Sequence, residues 1–508
     1  MNEIRGISII GYGLGEPGGH SFTVSDRTTA QPLEPSFHSA TFSDLDRAAE
    51  MAEGAFAQFD GVGRVKRGAF MRSIADHMES DRDRLVSRAM RETALAEARL
   101  QGEVARTCWQ LRFYAEIAED GSYLDVRIDR AEPDRRPVPK ADLRSMLRPL
   151  GPVAVFGASN FPFAYSVAGG DTASAFAAGC PVIVKAHPAH PGTSELVGRI
   201  IADEAQNHEL PEGTFSLLFD SGIEIGKALV RHSSIRAVGF TGSKAGGLAL
   251  VDLANAREVP IPVFAEMGSV NPVVVLPGRL ASDAVGFAKG LHASATMSVG
   301  QFCTNPGVVF VVGESGRKEF EKAYSGLMME TAACHMLTPG IEQAYVSRAA
   351  EWQDHRAVET LVAPQAPGAP GVFAVSVGSF LDNRLLREEL FGPATLLVRC
   401  ETVSEVMRCL CAMGGQLAAS IFASEGDEND ACVVIGAMER VAGRVIFNQF
   451  PTGVEVCQAM VHGGPFPATS DGRTTSVGGR AISRWMRPVC YQNVPQDLLP
   501  EELRGGIQ

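Results

Sequence analysis

Between Leu150 and Glu266 the chain alternates strand-like and helix-like segments, and this alternation limits the fold more than any other feature. Pro152–Gly157, Pro181–Lys185, Phe215–Phe219, Ala237–Thr241 and Pro262–Glu266 read as strands. An Ala-rich run to Ala178, a stretch from about Thr193 to Ala205, one to Arg231 and one to Asn255 read as the helices between them. Repeated strand–helix units build a parallel sheet, and ligands of such sheets sit beyond the strand C-terminal ends. The expected fold class is α/β.

The residues at those ends carry chemistry. Asn160 follows the first strand, Lys185 ends the second, Gly242-Ser243 ends the fourth and opens a helix, and Glu266 ends the fifth. Gly247 lies five residues past Gly242. Each has a plainer reading, as a turn residue, a solvated charge or a cap. A parallel sheet nevertheless brings these ends to one edge. A second α/β segment begins near Asn271. It contains Met297–Gly307, a Gly/Gln/Asn/Pro-rich turn that presents Cys303 after a helix-like Ala281–Thr296 and before the β-rich Val308–Val312. A buried packing cysteine is the ordinary alternative.

Several classes are set aside on composition. A length of 508 residues allows two or three domains. The net charge of −13 with no long basic run argues against a nucleic-acid partner. Ten cysteines without a Cys-x-x-Cys pair fit a reducing cytoplasm and neither a disulfide scaffold nor a zinc ligand set. His187 and His190 have no carboxylate or cysteine at ligand spacing, and Cys409 and Cys411 point in different directions on a helix, so no metal is expected. The start of the chain lacks a signal peptide's basic end and apolar core. Pro149–Gly170 is uncharged but broken by Pro152, Gly157, Asn160 and Pro162, so no membrane span is expected there. Ile9–Pro17 has the glycines of a dinucleotide fingerprint, but Glu16-Pro17-Gly18-Gly19 is a turn where a helix is required. Ser43–Gly121 reads as helical, and Asp129–Lys140 as a charged, Pro-rich arm.

Taken together, Asn160-Phe161-Pro162, Val184-Lys185-Ala186, Phe240-Thr241-Gly242-Ser243, Glu266-Met267-Gly268, Gly300-Gln301-Phe302-Cys303 and Glu389-Leu390-Phe391-Gly392-Pro393 resemble, in order, the motifs of the NAD(P)-dependent aldehyde dehydrogenase superfamily. The resemblance spans nearly the whole chain. It implies a Rossmann-type cofactor domain (1–126 and 149–265), an α/β catalytic domain (266–486) and a small oligomerisation flap (127–148 and 487–508), assembled as a homodimer or homotetramer. Lys185-Ala186-His187-Pro188-Ala189-His190-Pro191-Gly192-Thr193-Ser194, His462-Gly463-Gly464-Pro465-Phe466-Pro467 and Arg487–Gln492 are most similar to the branch acting on α-ketoglutarate semialdehyde, that is, 2,5-dioxovalerate.

The residue types then suggest a mechanism. A thiolate at Cys303 turns an aldehyde into a thiohemiacetal, and Glu266 activates the water that hydrolyses the resulting thioester. Asn160 and the Cys303 N–H stabilise the oxyanion. By resemblance, Lys185, Glu389 and Phe391 hold the cofactor, and Gly242, Ser243 and Gly247 admit its pyrophosphate to a helix N-terminus. The cofactor is NADP or NAD. Pro188 stands where NAD-preferring members carry a glutamate, so NADP is expected to be accepted, with His187 as a further donor. Many members read Glu-Leu-Gly-Gly-Lys where this chain has Glu266-Met267-Gly268-Ser269-Val270.

For the substrate, Arg106 lies on the helix that lines the family's substrate tunnel, four residues before Gln110 on one face. An arginine fork matches a carboxylate, so 2,5-dioxovalerate giving 2-oxoglutarate is the first expectation. The alternative for Arg106 is a surface pair with Glu103. The alternative substrate is a long-chain aliphatic aldehyde in a tunnel lined by Phe161, Phe163 and Phe450. Transfer to coenzyme A is disfavoured by Glu266, and a non-catalytic binding protein by the intact Cys303, Glu266 and Asn160.

Overall fold

The structure is a computed structural model that describes residues 3–504. All five expected strands lie side by side in one seven-stranded sheet. Its order is Val263–Glu266, Ala237–Thr241, Val153–Phe156, Val182–Lys185, Phe215–Leu218, Ile9–Ile10, Gly13–Leu14. The first five are parallel to one another. Val153, Ala154 and Val155, like Val182, Ile183 and Val184, are buried, as expected where both faces of a sheet are covered. The order reverses beside Val153–Phe156, with later strands added to either side of it. That reversal opens a crevice beyond this strand's C-terminal end, where Gly157–Asn160 runs.

The glycine-rich Ile9–Pro17 segment forms an edge hairpin. Ile9 pairs antiparallel with both Leu14 and Leu217, so it contributes sheet edge and no helix follows. The helix expected to begin at Thr193 starts at Pro191 and runs to Asn207. Proline is well suited to a first turn, and the carboxylate of Glu92 accepts the N–H groups of Gly192 and Thr193 at 2.8 and 2.9 Å.

A second seven-stranded sheet follows Asn271, with Ala394–Cys400, Val308–Val312, Val273–Val275 and Gln416–Phe422 at its centre. A third, three-stranded sheet joins Arg127–Asp129, Leu143–Pro149 and Met486–Gln492. Its register runs from Met486 opposite Pro149 to Gln492 opposite Leu143. The charged arm is exposed over residues 129–139. No helix among the described residues is both long and apolar enough to cross a membrane.

Candidate active site

A cavity of about 500 Å³ is lined by the two parts of the chain that carry the large sheets. The first contributes Ala158–Asn160, Thr241–Ser243 and Glu266–Gly268, and the second part of the chain contributes Cys303, Tyr345, Arg348 and Glu389–Phe391. Asn160, Gly242, Ser243, Glu266, Cys303, Glu389 and Phe391 are thus gathered as the sequence suggested.

Local chemistry fixes the cysteine turn. The helix Pro277–Thr296 passes into a tight turn in which Ser298, Val299 and Gly300 all have positive φ. At Gly300 a side chain would also collide with the Gly392 carbonyl. The strain at Ser298 and Val299 is held by side-chain anchors. Asn271 Nδ2 donates to the carbonyls of Cys303 (2.8 Å) and Asn305 (2.9 Å). Asn160 Nδ2 donates to the Gln301 carbonyl at 3.0 Å, leaving its second amide hydrogen for another acceptor. Arg99 Nη2 in turn holds the Asn160 carbonyl at 2.8 Å.

The sequence reading did not single out a role for His462. Its Nε2 lies 3.5 Å from Cys303 Sγ and 2.9 Å from Glu266 Oε1. The Oε1 atom is off the line of a well-directed hydrogen bond. A ring nitrogen carries at most one hydrogen, so Nε2 serves one neighbour at a time. Glu266 Oε2 accepts the Ser476 hydroxyl proton. His462 is itself wedged in place, its N–H donating to Thr475 Oγ1 at 2.8 Å and its carbonyl accepting the Ser476 N–H at 2.8 Å.

The electrostatics divide the two acids of this group. Burial, then the neighbouring carboxylates Glu266 and Glu389, push the Cys303 thiol well above its ordinary range. Its resting form is therefore the thiol, and reaction requires a proton acceptor at hand. Burial also pushes Glu266 upward, but His462, the Ser476 hydroxyl and Arg484 outweigh it and hold the carboxyl below its usual value. Glu266 is ionised at neutral pH.

On the cofactor side, Glu389 is half-buried and burial raises it to about 8. The Ser243 hydroxyl caps the helix Lys244–Asn255 by accepting the Gly246 N–H at 3.2 Å. Gly242 and Gly246 both lie against the Phe240 ring, where a Cβ would clash. A cavity bordered by a helix N-terminus on one wall and by Glu389 and Phe391 on another suits a dinucleotide's pyrophosphate and ribose hydroxyls. Lys185, His187 and Gly247 stand outside this lining. Lys185 is buried, donates to the Asp220 carbonyl at 2.8 Å, and is lowered to about 8 by burial despite Asp220. His187 Nδ1 accepts the Ala189 N–H at 3.1 Å, which leaves Nε2 as its donor. Gly247 packs under Met267 and Ala265, a contact between helix and strand.

The substrate-side expectations are corrected in part. Glu103 does not pair with Arg106. It pairs with Arg99 at 2.7 Å and accepts the N–H groups of Phe163 and Ala164. Arg106 Nη1 donates to the Val454 carbonyl, its guanidinium carbon lies 6.0 Å from the Tyr165 ring centroid, and its Nη2 is buried without a partner. Tyr165 is near both this arginine and the reactive group, its ring 6.0 Å from the His462 ring. Gln110 turns into the core and donates to the Ala164 carbonyl at 3.1 Å. Phe163 is fully buried in the core, and Phe450 stacks among Phe287 and Phe422. Arg106, Gln110, Phe163 and Phe450 all stand outside the cavity lining, and for the two rings aromatic character alone does not distinguish a tunnel wall from core packing. Arg444, which the sequence reading passed over, is half-buried, donates to the Pro451 and Gly453 carbonyls, and opposes the rise of the Cys303 thiol.

Comparison with known proteins agrees with this geometry. Residues 16–476 match the model of the aldehyde dehydrogenase family. Alpha-ketoglutaric semialdehyde dehydrogenase 2 of Azospirillum brasilense is 49% identical over 94% of this chain and 92% of its own. Alpha-ketoglutaric semialdehyde dehydrogenase of Acinetobacter baylyi is 42% identical over the same shares. A solved 1-pyrroline-5-carboxylate dehydrogenase from Thermus with bound NAD superposes with a TM-score of 0.83 at 19% identity, covering 96% of this chain and 92% of that one.

Proposed function

The chain belongs to the aldehyde dehydrogenase family and oxidises an aldehyde to an acid with a nicotinamide cofactor; from that premise we propose that the aldehyde is 2,5-dioxovalerate and the product 2-oxoglutarate. The substrate rests on the two relatives so named, both covered over 94% of this chain. The buried, unpartnered Nη2 of Arg106 agrees with it as a donor reserved for a carboxylate.

The chemistry rests on the 3.5 Å contact of His462 with Cys303. His462 Nε2 takes the thiol proton as Sγ attacks the aldehyde carbon, and the ionised Glu266 stabilises the imidazolium. The alkoxide is held by the free amide hydrogen of Asn160 and the Cys303 N–H, each such donor contributing about 3 kcal/mol. The nicotinamide, when bound, supplies the acceptor for the hydride that leaves the thiohemiacetal. Glu266, which lines the cavity, then takes the proton of the water that hydrolyses the thioester. A carboxylate held this low is a weak base alone; once the imidazolium has released the thiol's proton to solvent, its contact with His462 gives the water proton a better acceptor, and His462 returns that proton to the sulfur as the acid leaves. Hydrolysis, not transfer to coenzyme A, is the release step.

NADP is accepted alongside NAD. No acid stands at Pro188, and Lys185 with the His187 Nε2 donor suits a 2′-phosphate, although Asp220 nearby sets a limit. The segregation of the two large sheets supports the division into cofactor (1–126, 149–265) and catalytic (266–486) parts. The three-stranded sheet is the proposed oligomerisation flap of a cytoplasmic homodimer or homotetramer.

A panel of aldehydes with both cofactors tests the substrate. 2,5-Dioxovalerate should give the highest kcat/KM, and faster turnover of a long aliphatic aldehyde would overturn the assignment.

A further inference from the structure

We propose that Glu266, Cys303 and His462 form a binding site for a borderline-soft divalent cation of the zinc class, and that such a cation shuts the enzyme off. The proposal depends on the geometry of this group and not on which aldehyde is oxidised.

The three residues supply one oxygen, one sulfur and one nitrogen, and their donor atoms all lie within 4.8 Å of one another. Around tetrahedral zinc, with bonds of about 2.0–2.3 Å, neighbouring donor atoms stand roughly 3.3–3.6 Å apart. The Sγ to Nε2 separation is 3.5 Å and the Nε2 to Oε1 separation 2.9 Å. Seating the ion asks these two pairs for shifts of about half an ångström at most, and the carboxylate-to-sulfur pair, which lies within 4.8 Å, closes by up to about 1.2 Å. A mixed sulfur, nitrogen and oxygen set favours zinc-like ions over magnesium or calcium, which prefer oxygen alone.

The donors are also held in place. Glu266 ends a strand and is bridged to Thr469, its second oxygen held by Ser476. The Cys303 carbonyl is tied to Asn271, and His462 is fixed by Thr475 and Ser476. Such outer partners orient metal ligands. Oε1 of Glu266 is buried without a well-directed donor, an acceptor that a cation would satisfy. Two of the three residues line the open cavity, so a fourth position is left for water, as in sites with three protein ligands. Binding exchanges the thiol proton for the cation. One Cys303 S–H bond breaks, one metal–sulfur bond forms, and one proton enters solution. The sulfur lone pair is then engaged and cannot attack a carbonyl. The positive charges of Arg444 and Arg484 act against the cation, so the affinity falls below that of a structural zinc site.

The test uses the full chain stripped with EDTA and titrated with Co²⁺, then with Zn²⁺ as competitor. One Co²⁺ per chain is expected, with a thiolate-to-cobalt charge-transfer band that Zn²⁺ abolishes. Cys303→Ser should lose the band, and His462→Gln and Glu266→Gln, which replace direct ligands, should each weaken Zn²⁺ binding by more than the roughly 10–100-fold that loss of an outer partner costs. Cys411→Ser, which removes an exposed thiol, should bind as the parent does. Zn²⁺ should raise the Tm of the parent and of Cys411→Ser, but not of Cys303→Ser, which also shows that each variant is folded. EDTA should restore activity to the Zn²⁺-treated parent. Undiminished binding by Cys303→Ser, loss of binding in Cys411→Ser, or no binding to the parent would overturn the proposal.

Discussion

His462 Nε2 stands 3.5 Å from the sulfur of Cys303, across a contact that joins residues 159 positions apart. A thiol raised by burial and by the Glu266 carboxylate does not ionise by itself near neutral pH. The imidazole is therefore the group on which nucleophile formation depends in this account.

His462→Gln keeps a side chain that can hydrogen-bond but not one that accepts a proton at neutral pH. Its kcat should fall by about 10²–10⁴-fold, with cofactor affinity nearly unchanged. Iodoacetamide alkylation of Cys303 should slow in parallel. Unchanged alkylation would place thiol activation elsewhere.

Glu266→Gln should slow thioester hydrolysis more than thioester formation. Stopped-flow absorbance should show a burst of reduced cofactor close to one equivalent, followed by slow turnover. Loss of burst and turnover together would mean that the carboxylate acts chiefly through the thiol.

Arg106→Ala removes the donor next to Tyr165. The KM for 2,5-dioxovalerate should rise about 10–100-fold, the range of a hydrogen bond to a charged group, while neutral aldehydes of similar length change little. Equal effects on both would identify a packing role.

The cofactor should show a pH signature. Lys185 is lowered to about 8, so its charge is present at pH 7 and is lost as pH rises through about 8. Affinity for NADP should therefore weaken between about pH 7.5 and 9 more than affinity for NAD. A kcat/KM for NAD more than about a hundredfold above that for NADP, some 2.7 kcal/mol, would contradict the reading of the 2′-phosphate site.

The parallel sheet was readable because its buried strands are unbroken apolar runs ended by glycine, asparagine or charge, as in Val182–Lys185. Glu266 was readable because it ends a strand, and Asn160 and Cys303 because each sits in a turn shortly beyond a regular element. His462 lies in Gly- and Pro-rich chain without periodicity, and long-range contacts, among them the bridge at Thr469 and the Ser476 hydroxyl, bring that segment beside Glu266. The one hint was a histidine directly before Gly463-Gly464-Pro465, which the sequence reading used only as a mark of resemblance. Phe163 and Phe450 misled because the size of a ring does not say which way it points.

The most direct test joins nucleophile and substrate. Glu266→Gln is mixed with 2,5-dioxovalerate and cofactor, quenched in acid during the burst, digested and analysed by mass spectrometry. A 2-oxoglutaryl thioester is expected on the peptide carrying Cys303, and none when Cys303→Ala is added to the variant. Reduced cofactor formed with no adduct on Cys303, or with the adduct on another cysteine, would contradict it.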